Sequence, residues 1–371
     1  EIGGVRVDRF RYLWPETLQT VCYGGGALAN LRRDRGNLVK LPALVAAETA
    51  AVARRLAGGR YDLLHSHWIL PQGFVGTLTA GPLGVPHVTT VHGSDVFALR
   101  GRWLAHCKRF ALKHADRVTV NSRATEDAVR GLAPGLADLR LIPMGVSEQA
   151  PDAEAIAALR ARYRRGAGPL VAFVGRLVED KGVADLVQAV ALLSRRIPDV
   201  TAVIAGEGPE RVALEALAYD LGIADRVAFP GWLAEGQVAS VLAAADVFAG
   251  PSRRGRDGTT EAQGLVFAEA LLAGTPVIAS KLGGIVDLVR HEETGLLVDE
   301  AAPEQIAAAV ERLSADPGLA RRLTARGRRT VEEGFTRSVS AQAFSDLYDD
   351  LARAGNRPGV AREDLSAGQT T

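Results

Sequence analysis

The sequence predicts an α/β protein with two doubly wound parallel-sheet domains in tandem. Short β-branched strands alternate with amphipathic helices from about residue 60 to residue 298, the rhythm of parallel sheets covered on both faces. That rhythm breaks once, over 147–168, where an Ala-, Arg- and Asp-rich stretch ends in Gly166-Ala-Gly-Pro169 and the alternation restarts. The 371 residues, 47% hydrophobic, supply apolar surface for a core in each half. The expected boundaries are 1–148, 149–335, and a terminal helix with a disordered tail over 336–371.

Val5 to Phe10 alternates apolar and polar residues, as a strand does. Tyr61–His67 reads as a strand and Gln72–Ala80 as a helix. Pro86–His92 is the next strand, followed by a helix over 102–114. Arg117–Ser122 is a strand with a helix to about Gly131, and Leu139–Pro143 is the strand after it. A short helix is expected near 153–164. In the second half, Pro169–Gly175, Val200–Gly206, Val227–Pro230, Asp246–Ala249, Val277–Ser280 and Gly295–Val298 read as strands. Helices are expected between them over 182–195, 209–221, 234–244 and from Gly264 to Gly274, then near 303–315, 317–332 and 338–353.

Composition narrows the function. A net charge of +1 gives no strongly basic face for nucleic acid. Cys22 and Cys107 match no zinc or redox spacing and read as reduced thiols of a cytoplasmic protein. No uncharged apolar run reaches the ~18 residues of a membrane span, and no signal-peptide pattern stands at the start.

The most informative stretch is Glu261-Ala-Gln-Gly-Leu-Val-Phe-Ala-Glu269, two carboxylates eight positions apart. Between them Gly264 opens an apolar helix that Gly274 and Pro276 close. Carboxylates accept hydrogen bonds from hydroxyls, and the free N–H groups of a helix start donate to phosphate. A ligand with hydroxyls at its ends and phosphates between them fits such a pattern, and a nucleotide-sugar is one.

Other polar residues gather where strands are expected to end, the place where open α/β sheets bind ligands. Arg176 and Lys181 flank a strand-to-helix turn. A guanidinium fork and an ammonium beside a helix start make an anion site that suits a diphosphate. Gly206-Glu-Gly-Pro-Glu-Arg211 lacks the third glycine of a dinucleotide fingerprint, leaving a tight turn near a nucleotide or a purely structural one. His92-Gly-Ser94-Asp95 can bind sugar hydroxyls, shuttle a proton or simply cap a turn. His67 and Asn121 also fall at strand ends. His65, His67, His87 and His92 raise a zinc reading that no cysteine supports, so no metal is expected. Helix 102–114 is basic and amphipathic, with Trp103, Leu104, Cys107, Phe110 and Ala111 on one face and Lys108, Arg109 and Lys113 around the rest. It reads as an ordinary domain helix or one resting on anionic lipid.

Taken together, these segments resemble the retaining glycosyltransferases of family 4, with the two-domain GT-B fold of Rossmann-like domains facing across a cleft. The resemblance covers about 1–353. It is carried by His65-Ser-His-Trp-Ile-Leu-Pro-Gln-Gly73, Val91-His-Gly-Ser-Asp-Val96, Ile142-Pro-Met-Gly-Val146, Val174-Gly-Arg-Leu177 with Asp180-Lys-Gly182, Gly206-Glu-Gly-Pro209, Ala245-Asp-Val-Phe248, the Glu261 to Glu269 motif and Gly274-Thr-Pro-Val-Ile-Ala279. The resemblance implies that Arg176 and Lys181 bind the donor diphosphate, with Gly206 nearby. It implies that Glu261 holds hydroxyls of the transferred sugar, that the N–H groups of Gly264, Leu265 and Val266 line sugar and phosphate, and that Glu269 binds ribose. His92 would sit by the reacting carbon, with His67, Ser94, Asp95 and Asn121 on the acceptor side. No obvious enzymic nucleophile presents itself, so the resemblance implies front-face transfer with retention, without metal or cofactor.

Two departures qualify the resemblance. Met144 and Ser147 stand where Asn and Asp are frequent. The family's opening strand and Gly-rich loop have no counterpart, since Tyr23-Gly-Gly-Gly26 falls too late. The chain, which begins Glu1-Ile-Gly-Gly, is therefore expected to lack its start and to be poorly active alone. The expected activity is transfer from a UDP- or GDP-linked sugar to a saccharide or lipid-linked saccharide, in the cytoplasm or peripherally at the inner membrane face. The alternatives are a non-catalytic sugar-nucleotide-binding paralogue and another GT-B enzyme, such as a sugar-nucleotide epimerase.

Overall fold

The computed structural model describes residues 3–22, 27–148, 150–256 and 258–355. The Tyr23–Gly26 run and the tail beyond Gly355 lie outside the described residues. The first half carries α1 (Ala27–Arg33), α2 (Leu41–Leu56), β1 (Leu64–His67), α3 (Phe74–Ala80), β2 (His87–Val91), α4 (Ser94–Phe97), α5 (Arg102–His114), β3 (Arg117–Val120), α6 (Arg123–Leu132) and β4 (Leu139–Leu141). Its strands form one sheet in the order β1-β2-β3-β4, with β1 and β2 parallel and Leu64 opposite His87. Every residue of β2 is buried, the requirement that its continuous His-Val-Thr-Thr-Val run meets. Ser122 starts α6 by accepting the Thr125 N–H at 3.2 Å.

The second half carries α7 (Ala153–Tyr163), β5 (Leu170–Val174), α8 (Val183–Ser194), β6 (Thr201–Ala205), α9 (Arg211–Asp220), β7 (Val227–Gly231), α10 (Glu235–Ala244), β8 (Val247–Gly250), α11 (Leu265–Leu272), β9 (Val277–Ser280), α12 (Ile285–Leu288), β10 (Leu296–Val298), α13 (Pro303–Ala315), α14 (Pro317–Gly334) and α15 (Arg337–Gly355). Six parallel strands run in the order β10-β9-β8-β5-β6-β7. Alternate residues of β5 feed two separate cores. Val171 and Phe173 pack with α8, α9 and α13, whereas Leu170 and Ala172 pack with α10, α11 and α14. This is a doubly wound sheet, as expected. Its order reverses between β5 and β8, which makes the carboxyl ends of those strands the natural ligand crevice.

Three local expectations are corrected. Val5–Phe10 forms no strand: Val5 is 65% and Phe10 39% exposed, so the alternation has no sheet to face. In α5, Trp103 is 74% exposed while Lys108 is buried at 3%. The buried arc centres on Cys107, Lys108, Ala111 and Leu112 and leaves Trp103 at its edge. Helix α2, sixteen residues long, has no counterpart among the expected helices, although Leu44 and Leu56 bury one side of it.

The chain divides into two compact units. One comprises Glu1–Thr90, Cys107–Val118 and Phe344–Thr371; the other comprises Val91–His106 and Thr119–Ala343. The division falls at four places and not at 148/149, so the turn after β2 and the start of α6 belong with the six-stranded sheet.

His87 lies in the first unit at 1% exposure, and its Nε2 contacts the Ser66 hydroxyl at 2.9 Å. Burial lowers its pKa to about 4. Between pH 6.5 and about 4 the unfolded chain takes up a proton that the folded chain refuses, so stability falls as the pH drops through that window. The expected loss reaches about 3 kcal/mol. Unfolding midpoints measured over pH 4–7 should show this acid limb in the wild type and a flatter profile in His87→Gln; equal limbs would remove His87 as its cause.

Candidate functional site

The carboxyl ends of β5, β8 and β9 meet around Glu261. Gly175 and Arg176 follow β5, with Arg176 exposed. The chain then makes a single 3-10 turn over Glu179–Lys181, ending at Gly182 in the left-handed region (φ 64°) before α8. Lys181 Nζ forms an ion pair with Glu261 Oε2, and Ser252 Oγ donates to the same oxygen at 3.4 Å. Only 21% of the Lys181 side chain and 16% of the Glu261 side chain is exposed, so the pair is shielded from most solvent screening. The cation and the carboxylate, eighty residues apart in sequence, are thus direct neighbours.

The motif's helix starts as its glycine suggests. Gly264 is the N-cap of α11 with φ 77°, and a Cβ there would press on the Phe267 ring. The turn places the N–H groups of Leu265 and Val266 at the open end of the helix, where no intrahelical carbonyl reaches them. Leu265 is 40% exposed there, while Phe267 packs edge-to-face on Phe248, ring centroids 5.3 Å apart, and anchors the helix to β8. Glu269 lies one turn further along α11 and is half-buried.

Gly206 has φ 144°, and a Cβ on it would overlap the Gly175 carbonyl oxygen; one on Gly208 would overlap that of Leu177. Leu177 N–H donates to the Glu207 carbonyl at 2.9 Å. The Gly206-Glu-Gly208 turn therefore seats directly on Gly175-Arg176-Leu177 and fixes the backbone that carries Arg176. Glu207 itself pairs with Arg211 at 2.5 Å.

The second wall of the motif is the turn after β2, in the same unit. Gly93 has φ 96°, and a Cβ on it would overlap the side chain of Ala262. Gly284 leaves no room on the opposite side, since a Cβ there would overlap the Ala262 carbonyl and crowd Ser122. Asp95, 4% exposed, accepts the His92 N–H at 3.1 Å, the turn-capping role among those open to it in sequence. Asn121, 5% exposed, donates to the His92 carbonyl at 3.4 Å and accepts from Thr125 Oγ1 at 3.0 Å. Ser94 is exposed at the start of α4. So His92, Ser94, Asp95 and Asn121 stand beside the Glu261–Ala262 segment. His67 belongs to the other unit, its ring 4.4 Å from that of His65. His65 contacts Tyr348 and Thr90 at 2.6 Å each, and His87 contacts Ser66. Among the described residues no three His, Cys, Asp or Glu side chains group as metal ligands.

Three participants are not legible in the sequence. Gln263, 5% exposed, holds the Met144 backbone by both ends, accepting its N–H at 2.9 Å and donating to its carbonyl at 2.8 Å. Because this contact uses only the backbone, the side chain at 144 is free to differ from the family's frequent Asn. Arg253 and Asp185 are the other two, paired with each other. The one signal available for Gln263 is a polar residue inside an otherwise apolar motif. Gln263→Leu keeps the volume and strands two backbone groups. The expected cost is about 1–3 kcal/mol, read from denaturant midpoints; an unchanged midpoint would show the clamp to be incidental.

Comparison with known proteins defines the class. Residues 157–330 match the model for glycosyl transferases group 1, and residues 4–150 match that for glycosyltransferase family 4. Among curated relatives, a GDP-mannose-dependent alpha-(1-6)-phosphatidylinositol monomannoside mannosyltransferase of Mycolicibacterium smegmatis is 34% identical, the alignment covering 87% of this chain and 86% of that one. Its Mycobacterium tuberculosis namesakes are 39% identical over 64% of this chain, which spans 63% of their length. Among solved structures, sucrose-phosphate synthase from Thermosynechococcus elongatus is 32% identical with TM-score 0.72, covering 86% of this chain and 79% of that one. Anabaena HepE, solved in complex with UDP, shares the fold at TM-score 0.72 and 23% identity, covering 81% and 82%. The chain carries a group 1 glycosyltransferase domain. It belongs to glycosyltransferase family 4, and its two parallel-sheet α/β domains are those of the GT-B fold.

Proposed function

We propose that this protein transfers a sugar from a nucleotide-sugar to a saccharide or lipid-linked saccharide acceptor, with retention of configuration and without a metal ion. The observation that carries the reading is the Lys181–Glu261 pair at the carboxyl edge of the sheet, beside the open start of α11. Each charge holds the other. An arriving donor exchanges that bond for two better ones: Lys181, with Arg176, turns to the diphosphate, and Glu261 accepts sugar hydroxyls. The N–H groups of Gly264, Leu265 and Val266 and the positive end of α11 add to the charge that offsets the departing diphosphate. Glu269 accepts the ribose hydroxyls. His92, on the turn against Ala262, faces the transfer step, with Ser94, Asp95 and Asn121 on the acceptor side.

The mycobacterial relatives are named for GDP-mannose and phosphatidylinositol monomannoside, which favours a GDP-linked hexose and a cell-envelope acceptor here, with UDP-sugars as the other donor class. Product analysis with excess chelator tests the proposal. Free nucleoside diphosphate and a retained glycoside are expected; an isomerised donor, an inverted product or chelator-sensitive transfer would each contradict it.

No helix among the described residues is long and apolar enough to cross a membrane. Trp103, 74% exposed on the basic helix α5, supports a peripheral contact with the inner membrane face. Sedimentation with anionic vesicles should weaken in Trp103→Ala, and unchanged sedimentation would end that idea.

A further inference from the structure

The segment after β8 is pinned to the start of α8 at three points. Asp185, in the first turn of α8 and 1% exposed, receives the Arg253 guanidinium as a fork, Nε on Oδ2 at 2.5 Å and Nη2 on Oδ1. The Arg253 N–H donates to the Asp180 carbonyl at 2.8 Å. Gly182 lies so close that a Cβ would overlap the Pro251 carbonyl. Between these three points sits Lys181, and Ser252 of the same segment reaches the same Glu261 oxygen that Lys181 holds. Arg253 is therefore no free cation for a ligand. Its charge is committed to a buried carboxylate, and its backbone holds the residue before Lys181.

We propose that Arg253 and Asp185 are positioning residues that set the 180–182 turn, and with it the Lys181 ammonium, at the distance a donor diphosphate requires. The inference rests on the reading of Lys181 as a diphosphate ligand. A fork is needed because one point contact leaves the segment free to pivot, whereas two parallel N–H···O bonds fix its direction as well as its distance. Lysine in place of Arg253 keeps the charge and loses that direction.

Titrations of UDP and GDP against UMP and GMP, on the full chain, separate the outcomes. Lys181→Ala should weaken the diphosphates about tenfold and leave the monophosphates within about twofold. Arg253→Lys and Asp185→Asn should reproduce that selective loss. If Lys181→Ala discriminates and the two positioning variants bind like wild type, the proposal is overturned. If they lose monophosphate binding as well, the pair merely holds the loop together, and the proposal falls equally. Should Lys181→Ala itself fail to discriminate, the reading of Lys181 fails first and takes this inference with it.

Discussion

Glu261→Ala is expected to lower the turnover of sugar transfer roughly 10²–10³-fold, the range found when a preorganised polar group at a transition state is removed. The magnitude follows from how firmly the carboxylate is held. Its backbone carbonyl accepts the Gly284 N–H at 2.9 Å, and Ser252 keeps its bond to Oε2 when Lys181 turns to the diphosphate. A group placed this firmly before the donor arrives needs no reorganisation in the reaction. The fold should survive, with a cost under about 2 kcal/mol, because the Lys181 stranded by the change is partly exposed and can reach water. Glu261→Gln, which keeps a hydrogen-bond acceptor but no charge, should fall between the two. Wild-type turnover in a folded Glu261→Ala protein would refute the assigned role.

Gly206→Val should be the most damaging single change to stability, about 3–5 kcal/mol. Two costs add. The φ of 144° is closed to a β-branched residue, and the atom its Cβ meets is the Gly175 carbonyl oxygen. The backbone on both sides of that carbonyl is held, the Gly175 N–H by the Ala205 carbonyl at 3.0 Å and the Leu177 N–H by the Glu207 carbonyl at 2.9 Å. Any relief therefore shifts the turn carrying Arg176, so donor affinity should drop along with the unfolding midpoint. Gly222→Ala is the control: its φ is 70° with nothing within 4 Å of the added Cβ, and only about 1 kcal/mol of backbone strain applies. Similar losses at both positions would show that close approach is not what makes Gly206 necessary.

The second half of the fold is readable because its strands are short, mostly buried apolar runs and its turns are marked by glycines that the geometry needs. The strand expected over Val277–Ser280 matches to the residue, and Gly264 opens its helix as expected. In the first half, alternation at Val5–Phe10 supplies a period, yet only Val5 forms a bridge and the run stays exposed, so no strand extends along it. Helix α2 escapes sequence reasoning because its Ala-rich run carries little periodic contrast and its start at Lys40 has no side-chain cap.

At the site, glutamates, lysine and glycines can be named because each type has its own chemistry or backbone freedom. Their neighbours cannot. That Lys181 reaches Glu261, that Asp185 meets Arg253 and that Gln263 grips a backbone 119 positions away are consequences of strand order, which no local spacing encodes. Asp95 shows the converse case: three roles are open in sequence, and the bond to the His92 N–H shows the turn cap to be formed.

The central claim is that the donor binds where β5, β8 and the start of α11 converge. Backbone hydrogen exchange with and without a nucleotide-sugar tests it most directly. Binding is expected to slow exchange at 175–182 and 261–269, most of all at Gly264, Leu265 and Val266, and to leave β1 and α3 unchanged. Protection at β1 and α3 with none at the start of α11 would contradict the account.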